Sequence, residues 1–332
     1  MFLPKKTAAL TAAAALTLTL AACGGSAEAE SETPATGTAA EWPRTIEHEA
    51  GETVIDAQPE RIVSTSLSVT GTLLAIDAPV TATAVTAARP GTTDDNGFFA
   101  QWAETAVERD VEPLYTVGEF DLEAVIAQDP DLIVVSTSGA DSVLDQYEAL
   151  SDIAPTVVVN YGDQTWQDLA GELGEATGLE AEAEAAVSEF DALVEETAGK
   201  IGIEEGTTAS VVSYNAGDTS PVGKPTGPHA QLLEKLGFTV NEPPAEFDTS
   251  TQKREDFAFT SYEGLADSVT GDYAFLISAD EKKVDAFKAD ATLANIPAVQ
   301  NDTVFALGLA SFRMDPYSAT DIVTWFGDTF AK

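Results

Sequence analysis

The chain has 332 residues, a formal net charge of −40 from 16 Lys and Arg against 56 Asp and Glu, and a hydrophobic share of 44%. That share is typical of a globular protein, and the length suggests two domains. The charge argues against a large interface with nucleic acid or with an anionic membrane surface, because such surfaces are bound by clustered Lys and Arg.

Cysteine and histidine are scarce. The single cysteine is Cys23, and the two histidines are His48 and His229. The chain can therefore form no internal disulfide and no zinc site built from four cysteines or from two cysteines and two histidines. We expect neither a resident metal nor a cofactor.

Residues 1–22 have the features of a secretory signal peptide. Lys5 and Lys6 precede the apolar stretch Ala8–Leu20, which is 13 residues long. Such a stretch is too short to span a bilayer as a mature helix. We therefore expect the mature protein to lie outside the cytoplasm.

The end of this signal, Leu20–Cys23, resembles the lipobox of bacterial lipoproteins, in which the cysteine carries the lipid after cleavage. The alternative is an ordinary signal peptide with an incidental cysteine. Residues 23–44 are rich in Gly, Ser, Thr, Glu and Ala and have no apolar period, which predicts a flexible acidic tether. We expect the folded part to be anchored to the cell membrane through a lipid on Cys23.

The following residues alternate short β-branched runs with longer helical patterns, which is typical of βα units and a parallel sheet. Several runs are apolar on both faces, as a sheet covered by helices requires. The strand candidates are Ile62–Val63, Leu132–Val135, Thr156–Val159, Ala209–Tyr214, Ala274–Ile277 and Thr303–Ala306.

A long helix is predicted over Leu179–Ile201. Val187, Phe190, Val194 and Ile201 recur at helical spacing, while most of the acidic residues lie off that stripe. About 22 helical residues at 1.5 Å each give a helix of about 33 Å, which is longer than most globular helices.

The simplest architecture is α/β, with two Rossmann-like lobes joined by this single interlobe helix. The boundaries are 45–178 for the N-terminal lobe, 179–201 for the helix and 202–332 for the C-terminal lobe. The alternative is one larger doubly wound domain with the helix on one face.

A ligand site is expected at the carboxyl ends of the strands, as in other open parallel sheets. In a chain with so few cations, Arg89, Lys224 and Arg313 all fall in the loops after strands. Tyr161 and Tyr214 are aromatic candidates in the corresponding positions. A cationic crevice in an acidic protein indicates an anionic ligand.

Arg313 is the strongest candidate, because Phe312, Met314 and Tyr317 surround it with apolar and aromatic surface. Such surroundings stiffen a guanidinium and partly remove its water. The alternative for Arg313 is a surface ion pair with Asp315.

Other basic residues are interpreted as structural. Arg61 precedes its strand and should lie at the opposite edge of the sheet. The pair Lys253–Arg254 is flanked by Glu255 and Asp256, which predicts a solvated loop held by ion pairs.

An extracellular hydrolase is the alternative from another functional class. A Ser-His-Asp triad would have to use His229, since His48 lies beside the tether, and no G-x-S-x-G motif occurs.

Six segments of the chain resemble the siderophore, haem and cobalamin substrate-binding proteins of ABC importers, and most closely the ferric enterobactin-binding group. The resemblance covers nearly all of residues 45–330. The segments are Arg61–Val80, Asp94–Phe98, Pro130–Ile133, Gln231–Phe238, Pro297–Asn301 and Phe312–Ala319.

The resemblance implies a class III periplasmic-binding fold, and a non-enzymatic protein that captures a ferric siderophore for an ABC permease and its ATPase. Haem or cobalamin binding on the same fold is the alternative. A hexadentate siderophore fills the coordination sphere of iron, so the protein would supply no metal ligand. We expect a monomer, and binding by charge-assisted donors and stacked rings.

The resemblance also implies particular site residues. Arg313 and Phe312 match the arginine block of the family's C-terminal lobe. In the N-terminal lobe the family's basic position falls on Gly91, two residues from Arg89, and a tryptophan of the relatives is replaced near Val222–Lys224.

Two glutamates match the family's residues that dock onto arginines of the permease, one in each lobe. They are Glu123 and Glu263. The alternatives are local: Thr260 and Glu263 have the spacing of a capping box, and acids such as Glu123 are favoured near helix starts.

Overall fold

The computed structural model describes residues 41–251 and 254–332. The predicted signal peptide, Cys23 and most of the predicted tether lie outside the described residues. No helix in the described part of the chain is long and apolar enough to cross a bilayer.

An antiparallel hairpin of β1 (Arg44–His48) and β2 (Gly51–Ile55) opens the described fold. Its buried side chains are Ile46 and Ile55, and the hairpin lies against the first lobe. Arg44, at the end of the predicted tether, donates through Nη1 to Glu180 Oε1 at 2.5 Å. The hairpin was not predicted from the sequence.

The first lobe is built on a parallel five-stranded sheet with the strand order β5-β4-β3-β6-β7. Its strands are β3 (Ile62–Ser64), β4 (Val80–Val85), β5 (Glu112–Thr116), β6 (Leu132–Ser136) and β7 (Thr156–Val159). Every residue of β6 and β7 is buried, because helices cover both faces. The helices are α1 (Leu67–Ala75), α2 (Ala103–Glu108), α3 (Leu122–Ala127), α4 (Tyr147–Ser151) and α5 (Trp166–Thr177).

One long helix, α6 (Glu180–Ile201), follows the first lobe. Acidic residues in its first turn and Lys200 in its last turn match the helix dipole, and Gly202 ends it at a φ of +52°. Its buried stripe, which includes Phe190 and Val194, packs against α5 of the first lobe. The predicted helix is confirmed.

The second lobe contains a six-stranded sheet with the order β11-β9-β8-β12-β13, and β10 pairs with β8. Its strands are β8 (Thr208–Val212), β9 (Ser220–Gly223), β10 (Thr239–Val240), β11 (Phe257–Thr260), β12 (Tyr273–Leu276) and β13 (Val304–Ala306). The helices are α7 (Pro228–Lys235), α8 (Leu265–Ser268), α9 (Glu281–Ala289), α10 (Pro297–Gln300) and α11 (Pro316–Phe330).

This second sheet is mixed, which corrects the prediction of a purely parallel sheet. β9 runs antiparallel to both β8 and β11. The loop between β8 and β9 contains no helix, so the chain turns back as a hairpin instead of crossing over.

The two sheets are separate, and α6 packs against α5 in the first lobe and α11 in the second. One hydrophobic core continues from the first lobe through Phe190 and Val194 of α6 to Phe326 of α11. The predicted architecture of two α/β lobes with one long helix is confirmed, and a single doubly wound sheet is not formed.

Candidate functional site

Two adjoining cavities lie between the lobes, at loops that follow the strands. The first, here the Tyr161 cavity, has a volume of about 250 Å³ and is lined by Tyr161, Trp166 and Arg254, among others. The second, here the Arg89 cavity, has a volume of about 270 Å³ and includes Arg89 and Asp141 in its wall. They share Ser68, Phe312 and Arg313.

The guanidinium of Arg313 lies where the two cavities meet. Its Cζ is 5.7 Å from the centre of the Tyr161 ring and 5.6 Å from that of Phe312. Within the described residues, no carboxylate lies within ion-pair distance of Arg313. The side chain is half-buried and available to an anion.

Asp315 does not pair with Arg313, so the alternative of a surface ion pair is not found. Its carboxylate is buried and caps α11, accepting from Ser318 N at 2.9 Å and from Gln101 Nε2 at 2.9 Å. Burial raises the pKa of Asp315 to about 6. The hydroxyl of Ser318 also donates to the backbone oxygen of Arg313 at 2.5 Å, which fixes the loop that carries the arginine.

Phe312 presents an aromatic surface to both cavities. Its side chain is 40% exposed, which is high for a large apolar residue in a folded protein. The ring stacks on Phe257 with centres 6.2 Å apart and an interplanar angle of 4°. A planar ligand could extend this stack.

Tyr161 is positioned by a buried carboxylate. Its hydroxyl donates to Asp141 Oδ1 at 2.9 Å. Burial, together with the negative charge of Asp141, raises the pKa of Tyr161, so the phenol stays neutral. Gly139, at a φ of +81°, allows this arrangement, because a Cβ at that position would overlap the Tyr161 hydroxyl.

Arg89 lies on an exposed loop, and its backbone N donates to Thr93 Oγ1 at 2.7 Å. Thr93 Oγ1 in turn donates to the backbone oxygen of Ala87 at 3.2 Å, which closes the loop. The structure therefore brings Arg89 and Arg313, which are far apart in the sequence, to the wall of one cavity.

Lys224 and Tyr214 are not brought to either cavity. Lys224 Nζ donates to the backbone oxygen of Arg254 at 2.5 Å and lies 3.9 Å from Asp248 Oδ2. Tyr214 is buried in the second lobe, where its hydroxyl donates to Asp290 Oδ2 at 2.8 Å. These contacts give both side chains a structural role.

Arg254 lines the Tyr161 cavity, although its sequence predicted a solvated loop outside the ligand site. It forms two hydrogen bonds with the carboxylate of Asp256, at 2.7 and 2.5 Å, as expected for a loop held by an ion pair. The same arginine nevertheless lies in the wall of the Tyr161 cavity. Nothing in the local sequence indicates this position, which depends on where the loop packs.

His229 supports the Arg313 loop from α7. Its Nε2 lies 2.7 Å from the backbone oxygen of Ser311 and must donate to it, because a carbonyl oxygen only accepts. Burial lowers the pKa of His229, and its Nδ1 has no partner among the described residues. The described residues therefore contain no Ser-His-Asp triad around His229.

No group of three His, Cys, Asp or Glu side chains within residues 41–251 and 254–332 is arranged to hold a metal ion. Arg61 lies before β3, as predicted, and donates to the backbone oxygens of Gln128 and Asp129.

Glu123 and Glu263 are both exposed, one on each lobe. Glu123 lies in the first turn of α3, whose cap is Asp121. The capping box considered for Glu263 is not formed, because α8 begins at Leu265 and Thr260 Oγ1 bonds to Ser268 Oγ. Local structure therefore gives Glu263 no capping role.

The chain is similar to known transport proteins along most of its length. The pattern of the family described as "Periplasmic binding protein" matches residues 62–309. The ferric enterobactin-binding periplasmic protein FepB of Escherichia coli O6:H1 is 42% identical over 287 residues, covering 86% of this chain and 90% of FepB. The probable siderophore-binding lipoprotein YfiY of Bacillus subtilis is 26% identical over 301 residues, covering 85% of this chain and 87% of YfiY.

The crystal structure of holo-ViuP superimposes with a TM-score of 0.81 at 41% sequence identity, covering 88% of this chain and 97% of ViuP. The family pattern and the identity to FepB each extend over most of the chain. The chain belongs to the periplasmic binding protein family, whose members bind a substrate without transforming it.

Proposed function

We propose that this chain binds a ferric catecholate siderophore in the two cavities between its lobes and delivers it to an ABC importer. The single observation that carries the proposal is Arg313, which lies beside the rings of Tyr161 and Phe312 with no carboxylate partner among the described residues. A cation on an aromatic surface suits a ligand that is both anionic and aromatic.

The charge of the whole protein makes this local arrangement necessary. A net charge of −40 repels any anion at long range, so an anionic ligand must be held by cations concentrated at the site. Arg89 and Arg313 supply two such cations to the Arg89 cavity. Charge-assisted hydrogen bonds from a guanidinium to the catecholate oxygens would be stronger than neutral ones.

The iron needs no ligand from the protein. Three catecholates complete an octahedron around Fe³⁺, so the protein has to recognise only the outside of the chelate. Aromatic faces and guanidinium groups suit that surface. Among known relatives, FepB is named for binding ferric enterobactin, which favours a catecholate ligand here.

The remaining parts of the proposal concern location and partners. Members of this family work outside the cytoplasm, and we propose a lipid on Cys23 as the anchor; the relative YfiY is described as a lipoprotein. We further propose that Glu123 and Glu263 dock onto the permease. Their exposure on the two lobes is consistent with that role.

Binding can be tested by titrating the mature protein with ferric enterobactin while its tryptophan fluorescence is recorded. Trp166 is a suitable reporter, because it lies in the wall of the Tyr161 cavity and is 5% exposed. We expect saturable quenching with one ligand per chain. Absence of quenching and of ligand retention on gel filtration would contradict the proposal, and a Soret band on mixing with haem would favour haem binding.

A further inference from the structure

Asp141 is a buried carboxylate surrounded by hydrogen-bond donors. Its Oδ2 accepts from Ser66 Oγ at 2.8 Å and from Ser68 N at 2.9 Å, and its Oδ1 accepts from the Tyr161 hydroxyl at 2.9 Å. In the part of the chain that the structure describes, no Lys or Arg nitrogen lies within ion-pair distance of this carboxylate. The negative charge of Asp141 is therefore not neutralised by a neighbouring cation.

Part of this arrangement is structural. Ser66 is the N-cap residue of α1, but its side chain makes no capping bond and donates to Asp141 instead. Asp141 accepts from Ser68 N and thereby caps α1 from a different loop. Capping requires only an acceptor, however, and a neutral Asn or Ser would supply one.

The position of Asp141 gives its charge a second effect. The charged side chains among the described residues that line the Arg89 cavity are Arg89, Arg313 and Asp141. Two of these attract an anion and one repels it. Asp141 also orients Tyr161, whose ring lies beside the guanidinium of Arg313.

We propose that Asp141 limits the preference of the Arg89 cavity for highly charged anions. Its carboxylate weakens binding in proportion to the negative charge of the chelate, and so limits the advantage that Arg89 and Arg313 give to the most highly charged ligands. This inference rests on the proposed function, since it assigns a role within the proposed ligand site.

The test uses two chelates of nearly the same shape that differ by one charge. The Ga³⁺ complex of a tris-catecholate is trianionic, whereas the Ti⁴⁺ complex of the same ligand is dianionic. The ratio of their dissociation constants isolates the effect of one unit of ligand charge. Both can be measured by tryptophan fluorescence in the mature protein at fixed ionic strength, because salt screens the effect.

Asp141→Asn removes the charge and preserves the contacts. The amide oxygen can accept from Ser68 N, and the amide nitrogen can donate to the hydroxyl of Tyr161, which is also an acceptor. We expect tighter binding of both chelates, and a shift of the affinity ratio in favour of the trianion by about three- to tenfold, the Coulomb effect of one charge at roughly 10 Å. Asp141→Ser is a second variant with a smaller neutral acceptor.

Asp121→Asn is the matched control. Asp121 caps α3 through Glu123 N and Ala124 N, so this variant makes the same chemical change at another helix cap and removes the same net charge. We expect its affinity ratio to equal that of the unaltered protein.

An unchanged ratio in folded Asp141→Asn and Asp141→Ser would overturn the inference and leave Asp141 as a helix cap only. A shift in favour of the dianion would overturn it as well. If the unaltered protein bound neither chelate, the proposed function would fail first, and the inference with it.

Discussion

Gln101 Nε2 donates a hydrogen bond to Asp315 Oδ2 at 2.9 Å, which joins two residues 214 positions apart in the chain. Gln101 belongs to the first lobe and Asp315 caps the last helix of the second. A Cβ at Gly71, on α1, would lie 2.9 Å from the same carboxylate oxygen, so the lobes approach closely at this point. Because Asp315 follows Arg313 by two residues, this contact also fixes the position of the proposed ligand-binding arginine.

Removal of the Arg313 guanidinium should weaken ligand binding. A charge-assisted contact contributes about 1.5 to 3 kcal/mol, so Arg313→Ala should raise the dissociation constant for ferric enterobactin about ten- to a hundredfold. Fluorescence titration measures the change. Arg109→Ala is the matched control, since Arg109 pairs with Asp77 outside both cavities. Equal affinity of the two variants for the ligand would show that Arg313 does not take part in ligand binding.

The buried carboxyl of Asp315 should make stability depend on pH. The pKa of Asp315 is about 6 in the folded protein, above the ordinary value of 3.8, so the folded state binds this proton more tightly than the unfolded state does. Protonation of Asp315 therefore stabilises the folded protein fully below about pH 4, and this contribution is lost as the pH rises through 6. Asp315→Asn keeps a capping oxygen but cannot ionise. The unfolding free energy of the unaltered protein should therefore fall relative to that of the variant by roughly 2–3 kcal/mol between pH 4 and 7.

Urea denaturation at several pH values measures this difference. A difference between Asp315→Asn and the unaltered protein that stays constant from pH 4 to 7 would contradict the assignment of a raised pKa to Asp315.

Alanine substitutions at two glycines with positive φ distinguish the effect of backbone strain from the effect of side-chain overlap. Gly139 has a φ of +81° and a Cβ there would overlap the Tyr161 hydroxyl, whereas Gly118 has a φ of +91° and open space around the same position. Both alanine substitutions should cost about 1 kcal/mol of backbone strain. Only Gly139→Ala should also displace Tyr161 and weaken ligand binding. Comparable affinities of the two variants for ferric enterobactin would argue against a role for Tyr161 in the site.

Charge reversal at the proposed docking residues should separate binding from transport. Glu123→Lys with Glu263→Lys should leave ligand affinity unchanged, because neither residue lines a described cavity between the lobes, and should stop uptake of radioactive iron by cells. Glu182→Lys with Glu184→Lys, on the exposed face of α6, makes the same charge change elsewhere. Normal uptake by the first double variant would rule out docking through these residues.

The proposed lipid anchor can be tested by labelling cells with radioactive palmitate. Cys23→Ser removes the thiol that would carry the lipid, so this variant should incorporate no label, whereas the unaltered protein should be labelled. Label that persists in Cys23→Ser would contradict lipidation at this residue.

The sequence predicted those helices and strands that can be identified from the apolar pattern of neighbouring residues. The apolar stripe of Leu179–Ile201 corresponds to α6, observed at Glu180–Ile201, and Thr156–Val159 is observed unchanged as β7. β4 was missed because threonines interrupt its apolar run. The antiparallel strands β9 and β11 depend on pairing between distant residues, which no local pattern shows.

The same distinction applies to the site. Arg313 follows a predicted strand and lies among aromatic residues, and the structure places it in the wall of both cavities. Lys224 also follows a strand, but the direction of its side chain is set by the backbone oxygen of Arg254, 30 residues away. Asp141 follows the predicted strand Leu132–Val135, but its burial and its bond to Tyr161 depend on contacts that only the folded structure shows.

The long helix α6 has a consequence for which molecules can be accepted. It packs against both α5 and α11, and the hydrophobic core continues through it, so a large rotation of one lobe against the other would expose apolar side chains such as Phe190 to water. We therefore expect an entrance of nearly constant width. A chelate too bulky for that opening would be rejected by its dimensions alone, whatever its affinity for the arginines inside.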